Sequence, residues 1–98
     1  MNKMEFLGDI TLEEIYEQNK EIIYSSFIEE IRKVANDITV DRIEVMEFKK
    51  NGVKFTIDLK RVQFIDALNS AIDYYVNPAV ENYEKCNECK EIINLLKM

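Results

Sequence analysis

The dipeptide Asn51-Gly52 constrains this chain more than any other feature, because it lies between two runs of alternating apolar residues that extend from Ile43 to Leu59. A two-residue turn of type I′ needs positive φ at both central positions, which glycine takes freely and asparagine better than most residues. Such a turn fixes the register of an antiparallel hairpin. Lys50 then faces Val53, Phe48 faces Phe55 and Met46 faces Ile57, so two apolar pairs share the face expected to be core. A bare hairpin is marginal in water, so the flanking segments must supply the surface it packs on.

Those segments read as helical. Thr11 and Glu14 form a capping box and Ile10 and Ile15 a hydrophobic staple, which starts a helix at Thr11. With no Gly or Pro before Asp37, the helix is expected to run that far. Its apolar face changes near Ser25-Ser26: Leu12, Ile15, Asn19, Ile22 and Ile23 mark one stripe, and Phe27, Ile31, Val34, Ala35 and Ile38 another, rotated by roughly a third of a turn. Either the helix kinks at the serines or its halves pack on different neighbours. A second helix spans Val62 to Val76. Asn77-Pro78 ends it and is expected to open a third, with Asn77 as N-cap and Val80, Tyr83, Cys86, Cys89, Ile93 and Leu96 as its stripe. Met1 to Ile10 is either a flexible arm, the preferred reading, or an extra edge strand.

The second strand alternates cleanly, with Val53, Phe55, Ile57 and Leu59 inward. The first does not, since Ile43 and Val45 have the opposite parity to Met46 and Phe48. A bulge near Val45 returns both to the core; otherwise Ile43 and Val45 mark an apolar face covered by the arm or by another chain. The fold expected is a small α+β domain covering residues 1–98, in the order α-β-β-α-α, with a two-stranded antiparallel hairpin packed on helices.

Composition narrows the function. Of 98 residues 33% are charged and the net charge is −6, which opposes nucleic acid or an anionic membrane as the main ligand and permits a protein partner with a basic surface. No apolar run approaches the length of a membrane span, and Met1 to Ile10 has no apolar core of a signal peptide, so a cytoplasmic protein is expected. There is no histidine, no glycine-rich phosphate loop and no nucleophile elbow, and a non-enzymatic protein without cofactor is expected. Cys86-Asn87-Glu88-Cys89 is a C-x-x-C, but a zinc site lacks two ligands and the thiols lie well inside their helix; inward packing as small apolar groups is the plainer reading, and a metal or thiol role the alternative.

Charge is unevenly placed. Residues 1–31 carry net −6, residues 32–61 net +3 and residues 62–98 net −3. Glu13, Glu17 and Glu21 recur every four residues with Glu14 beside them, a row that costs helix stability and serves either solubility or docking on a basic partner. Lys49, Lys50 and Lys54 crowd the hairpin tip, where they discourage edge pairing or contact an acidic group. In size, charge and element order the chain resembles the small acidic proteins with which phages block host nucleic-acid-binding defences, anti-CRISPR proteins among them. That resemblance implies an inhibitor of such a defence, and the carboxylate row, read from its own residues, is expected to occupy a basic groove of the partner; a homodimer or larger homo-oligomer built on the odd face of the first helix, or on Ile43 and Val45, is the alternative from another class.

Overall fold

In the computed structural model, which describes residues 1–98, Asn51 and Gly52 take φ of 50° and 81°. The turn joins strands β2 (Arg42–Lys50) and β3 (Val53–Lys60), and the three pairs expected from it are all present: Lys50 with Val53, Phe48 with Phe55, Met46 with Ile57. The ladder slips by one residue between Glu44 and Met46. This bulge turns Val45 into the core, where it is fully buried, and sets Ile43 opposite Leu59, both packed against the helices. Neither Ile43 nor Val45 is therefore an open apolar edge.

The first ten residues are not a loose arm. Asn2–Phe6 forms strand β1, parallel to β2 with Asn2 beside Met46 and Phe6 beside Lys50, so the sheet has three strands in the order β1-β2-β3. Parallel neighbours need a crossover, and helices α1 (Leu12–Gln18) and α2 (Lys20–Val34) supply it. Two anchors hold β1. Asn2 Nδ2 donates to the buried Ser26 hydroxyl at 2.7 Å. Asn51 exchanges two hydrogen bonds with the Gly8 backbone, each 2.9 Å, while its own N–H reaches the Phe6 carbonyl. The turn asparagine thus closes the hairpin and pins the strand beside it. Asn51→Gly keeps a residue tolerant of positive φ but removes the side-chain pair, worth about 1 kcal/mol. The expected outcome is a retained hairpin with several-fold faster amide hydrogen exchange in Asn2–Phe6; unchanged exchange there would count against the anchor.

The long helix breaks, but at Asn19 rather than at the serines. Asn19 has φ −127° and ψ 27°, and its side-chain amide donates to the Ile15 carbonyl at 2.7 Å, which ends α1 without glycine or proline. Ser26 stays helical, its hydroxyl donating to the Ile22 carbonyl at 2.6 Å. After β3 a single 3₁₀ turn (Arg61–Gln63) leads into α3 (Phe64–Val76). Asn77-Pro78 starts only a turn: Asn77 Oδ1 accepts from the Ala79 N–H, Glu81 goes to φ 47°, and α4 (Tyr83–Leu96) begins with Asn82 as its N-cap.

Two apolar clusters result. Ile28, Ile31, Phe64, Leu68, Ala71, Tyr75, Cys89 and Ile92 bind α2, α3 and α4 together, and Ile15, Ile23, Val45, Met46 and Phe48 fill the space between the sheet and the first two helices. Ile38, expected on the second stripe, lies beyond the end of α2 and is 81% exposed. The Cα frame is only 16 Å deep along its shortest axis, so the outer sheet face stays open, lined by alternating charges from Lys3 and Glu5, Glu47 and Lys49, Lys54 and Asp58.

Candidate functional site

The break at Asn19 divides the carboxylate row. Glu13, Glu14 and Glu17 lie on α1, Glu21 in the first turn of α2. Glu14 serves the helix start: its N–H donates to Thr11 Oγ1, and the Thr11 hydroxyl donates to Glu14 Oε1, both at 3.1 Å. Glu21 turns toward the helical core. Its carboxylate lies 3.6 Å from Lys85 Nζ and accepts from the Tyr75 hydroxyl at 3.3 Å. Burial, reinforced by the Glu21 charge, raises the pKa of Tyr75 well above the usual phenol range and that of Tyr74 in the same sense. Lys85 also stands 5.7 Å from the Tyr75 ring centre. Glu21 therefore bridges α2, α3 and α4, with its side chain still 55% exposed. Glu13 has no ion-pair partner, and Glu17 is 3.1 Å from Lys20 with its side chain 64% exposed.

Beside Glu17 lies a groove of about 350 Å³, where Tyr16 and Glu17 of α1, Lys20, Ile23, Tyr24 and Phe27 of α2, Ile57 of β3 and Ser70 of α3 meet. Tyr16 packs edge-on against Phe48 at 6.0 Å, which sets α1 on the sheet. Tyr24 stacks on Tyr74 at 5.0 Å and meets Phe27 edge-on at 5.8 Å, which fixes the far wall. Tyr16, Ile23 and Phe27 recur at intervals of seven and four in the sequence, a helical spacing that ran through the same segment as the acidic row. Ile57 and Ser70 are joined to them only by the fold.

The hairpin lysines are not a bare basic pole. Lys54 Nζ is 3.2 Å from Glu47 Oε1, and this hydrogen bond, helped by Lys54, Lys3 and Lys49 as neighbouring charges, holds the Glu47 carboxyl below its usual pKa. Lys50 lies on the inner side between Phe6 and Val53, while Lys49 stands across from Lys54 and is exposed. On α4, Cys86 and Cys89 are free thiols, both buried. Cys86 Sγ is 3.9 Å from the Ile72 carbonyl, and burial pushes the Cys89 thiol up to about 11. A thiol held protonated in an apolar core is a poor nucleophile and a poor metal ligand.

No group of three or more His, Cys, Asp or Glu side chains is placed to hold a metal ion. No helix is long and apolar enough to cross a membrane. Set beside family models, curated proteins and solved structures, the chain has no significant match in any of the three.

Proposed function

We propose that this is a small acidic, non-enzymatic binding protein, an inhibitor in the manner of the phage proteins it resembles, that docks α1 and the adjoining groove on a basic, nucleic-acid-binding surface of a partner protein. The observation that carries the reading is the meeting of an apolar groove with exposed carboxylates: Tyr16, Ile23, Tyr24, Phe27 and Ile57 line the recess, Glu17 stands at its rim paired with Lys20, and Glu13 precedes it by one turn of α1 without an ion-pair partner. A partner segment with an apolar anchor flanked by Arg or Lys suits that combination. Apolar burial and ring stacking supply affinity in the recess, and the carboxylates supply orientation and association rate. Glu21, committed to Tyr75 and Lys85, is left out of this surface.

Affinity capture at low and high salt tests it, with Glu13→Lys/Glu17→Lys and Tyr16→Ala compared with the unsubstituted chain. The charge reversal is expected to leave the fold intact and weaken capture of a basic partner by about tenfold or more, equivalent to about 1.4 kcal/mol, with the loss greatest at low salt. Tyr16→Ala is expected to weaken capture without changing its salt dependence. Equal recovery of the same proteins by the reversed and unsubstituted chains would overturn the reading.

A further inference from the structure

The free edge of β3 carries a self-complementary pattern that the groove does not use. β3 is hydrogen-bonded to β2 alone. Val53, Phe55 and Ile57 face Lys50, Phe48 and Met46, and Val53 with Lys50 flanks the two-residue turn. In such a hairpin the residues flanking the turn exchange both backbone bonds, so the odd-numbered residues of β3 direct their N–H and C=O groups at β2. Arg61 keeps this parity, its N–H donating to the Asp41 carbonyl. Lys54, Thr56 and Asp58 therefore direct theirs outward, three donors and three acceptors without a strand partner. On the outer sheet face the same residues read cation, neutral, anion.

We propose that two copies of the chain pair antiparallel through β3 about a two-fold axis at Thr56, joining their sheets into one of six strands. In that register Thr56 faces Thr56 of the second copy, Lys54 faces Asp58, and Asp58 faces Lys54. All three are residues whose backbone groups point across the edge, so six main-chain hydrogen bonds close. On the inner face Phe55 meets Ile57 and Val53 meets Leu59, which covers Val53, now 57% exposed. Lys60 falls opposite Gly52, where no side chain crowds it. Other registers are worse. An axis at Lys54 or Asp58 sets like charges face to face, one at Ile57 opposes Lys54 to Lys60, and one at Phe55 leaves Lys54 and Asp58 without charged partners. The lysines that protect this edge from random pairing thus select one arrangement. Asp58 is held in place by Arg42, which takes Oδ2, while Oδ1 is enclosed by the chain without a hydrogen-bond partner. A single edge lies at the small end of stable interfaces, so a dissociation constant in the micromolar range is expected.

Sedimentation velocity of the full chain, from low micromolar to near-millimolar concentration, is expected to show a monomer–dimer equilibrium. Lys54→Glu sets two acidic pairs across the axis and Asp58→Lys two basic pairs, so each substituted chain alone is expected to self-associate about tenfold more weakly or worse. Mixed in equal amounts the two become complementary at both pairs, and dimer formation is expected to return as a heterodimer. Amide exchange gives a second readout: the amides of Lys54, Thr56 and Asp58 are expected to slow with rising concentration, while those of Phe55 and Ile57 do not. A chain monomeric throughout overturns the proposal, as do single substitutions that leave association unchanged or a mixture no stronger than its components. None of these outcomes depends on Glu13, Glu17 or Tyr16, so the proposed docking function stands or falls separately.

Discussion

Phe48→Ala is expected to lower the unfolding free energy by about 3–5 kcal/mol, the range for deleting a fully buried phenylalanine side chain. Phe48 is 1% exposed and touches an aromatic ring from three other elements: Phe6 of β1 edge-on at 6.4 Å, Tyr16 of α1 edge-on at 6.0 Å, and Phe55 of β3 stacked at 5.4 Å. Its removal opens a void where neither the sheet nor α1 can follow inward, since the bulge and the turn fix β2 on both sides. A domain of this size has only about 5–15 kcal/mol in total, so the variant is expected to melt more than about 12 °C lower. Phe55→Ala provides the comparison, because Phe55 is only half-buried and is expected to cost less than half as much. Urea unfolding followed by circular dichroism measures both, and equal midpoints for the two variants would remove Phe48 from its central place.

What could be read in the sequence was what local geometry determines. Positive φ at Asn51 and Gly52 is a property of those two residues, and once the turn is set each cross-strand pair follows by counting. The bulge was legible in part for a related reason: Ile43 and Val45 break parity, which calls either for a bulge or for a cover over that face, and the one-residue slip between Glu44 and Met46 is the first of these. The parallel strand β1 was not legible, because its partners lie more than forty residues away and its anchors, Asn2 to Ser26 and Asn51 to Gly8, are isolated polar contacts with no periodic signature. Asn19 was missed because asparagine inside a helical pattern is a weak signal. Only its bond to the Ile15 carbonyl makes it a stop. The turn after Pro78 differs in the opposite direction: N-cap followed by proline is a sound helix start, but the left-handed backbone at Glu81 returns the chain before a second turn can form.

The candidate surface was legible in part for the same reasons. A row of glutamates at intervals of four is a local property, so Glu13 and Glu17 lie together on α1 as expected. Which carboxylates remain free is not local. Glu21 is taken by Tyr75 and Lys85, residues more than fifty positions away, and Glu14 by the helix cap. The groove draws its walls from four elements and follows from the break at Asn19, which sets α1 at its own angle over Phe48. Since Tyr16 both lines the groove and packs on Phe48, disturbing the sheet core should also deform the docking surface. Phe48→Ala is therefore expected to weaken partner capture even below its melting temperature, whereas Glu13→Lys/Glu17→Lys should weaken capture with a loss of only about 1 kcal/mol, from the first-turn charge at Glu13 and the Glu17–Lys20 pair.

Arg61→Ala is expected to destabilise the fold by about 2–4 kcal/mol through hydrogen bonds that no apolar pattern announces. The guanidinium donates from Nε to the Val40 carbonyl and from Nη2 to those of Val34 and Asp37, the first two at 2.7 Å. Val34 is the last residue of α2, so the cation sits at the negative end of the helix dipole and adds a donor to the Val34 and Asp37 carbonyls, which already accept the N–H groups of Asp37 and Val40. It also lies 5.3 Å from the Phe64 ring centre, at the entry to α3. One side chain thus joins the end of α2, the connection to β2 and the start of α3. A charge-assisted hydrogen bond contributes about 1.5–3 kcal/mol net, and water can replace part of that at the exposed Asp37 carbonyl, which places the total below a simple sum. Arg61→Lys is expected to recover less than half of the loss, because an ammonium is a point charge and cannot span three carbonyls as a planar fork does. Arg61→Met keeps the stem packed and removes only the charge and donors, so it separates packing from hydrogen bonding. Urea midpoints for the three variants, with amide exchange of residues 37–41 as the local readout, test the assignment. If Arg61→Ala lay within about 0.5 kcal/mol of the unsubstituted chain, the level of an ordinary surface substitution, the carbonyl clamp would contribute nothing and the connection between α2 and β2 would owe its shape to its own turn bonds, from the Asp37 N–H to Val34, from the Val40 N–H to Asp37 and from Thr39 to the Asp37 carboxylate.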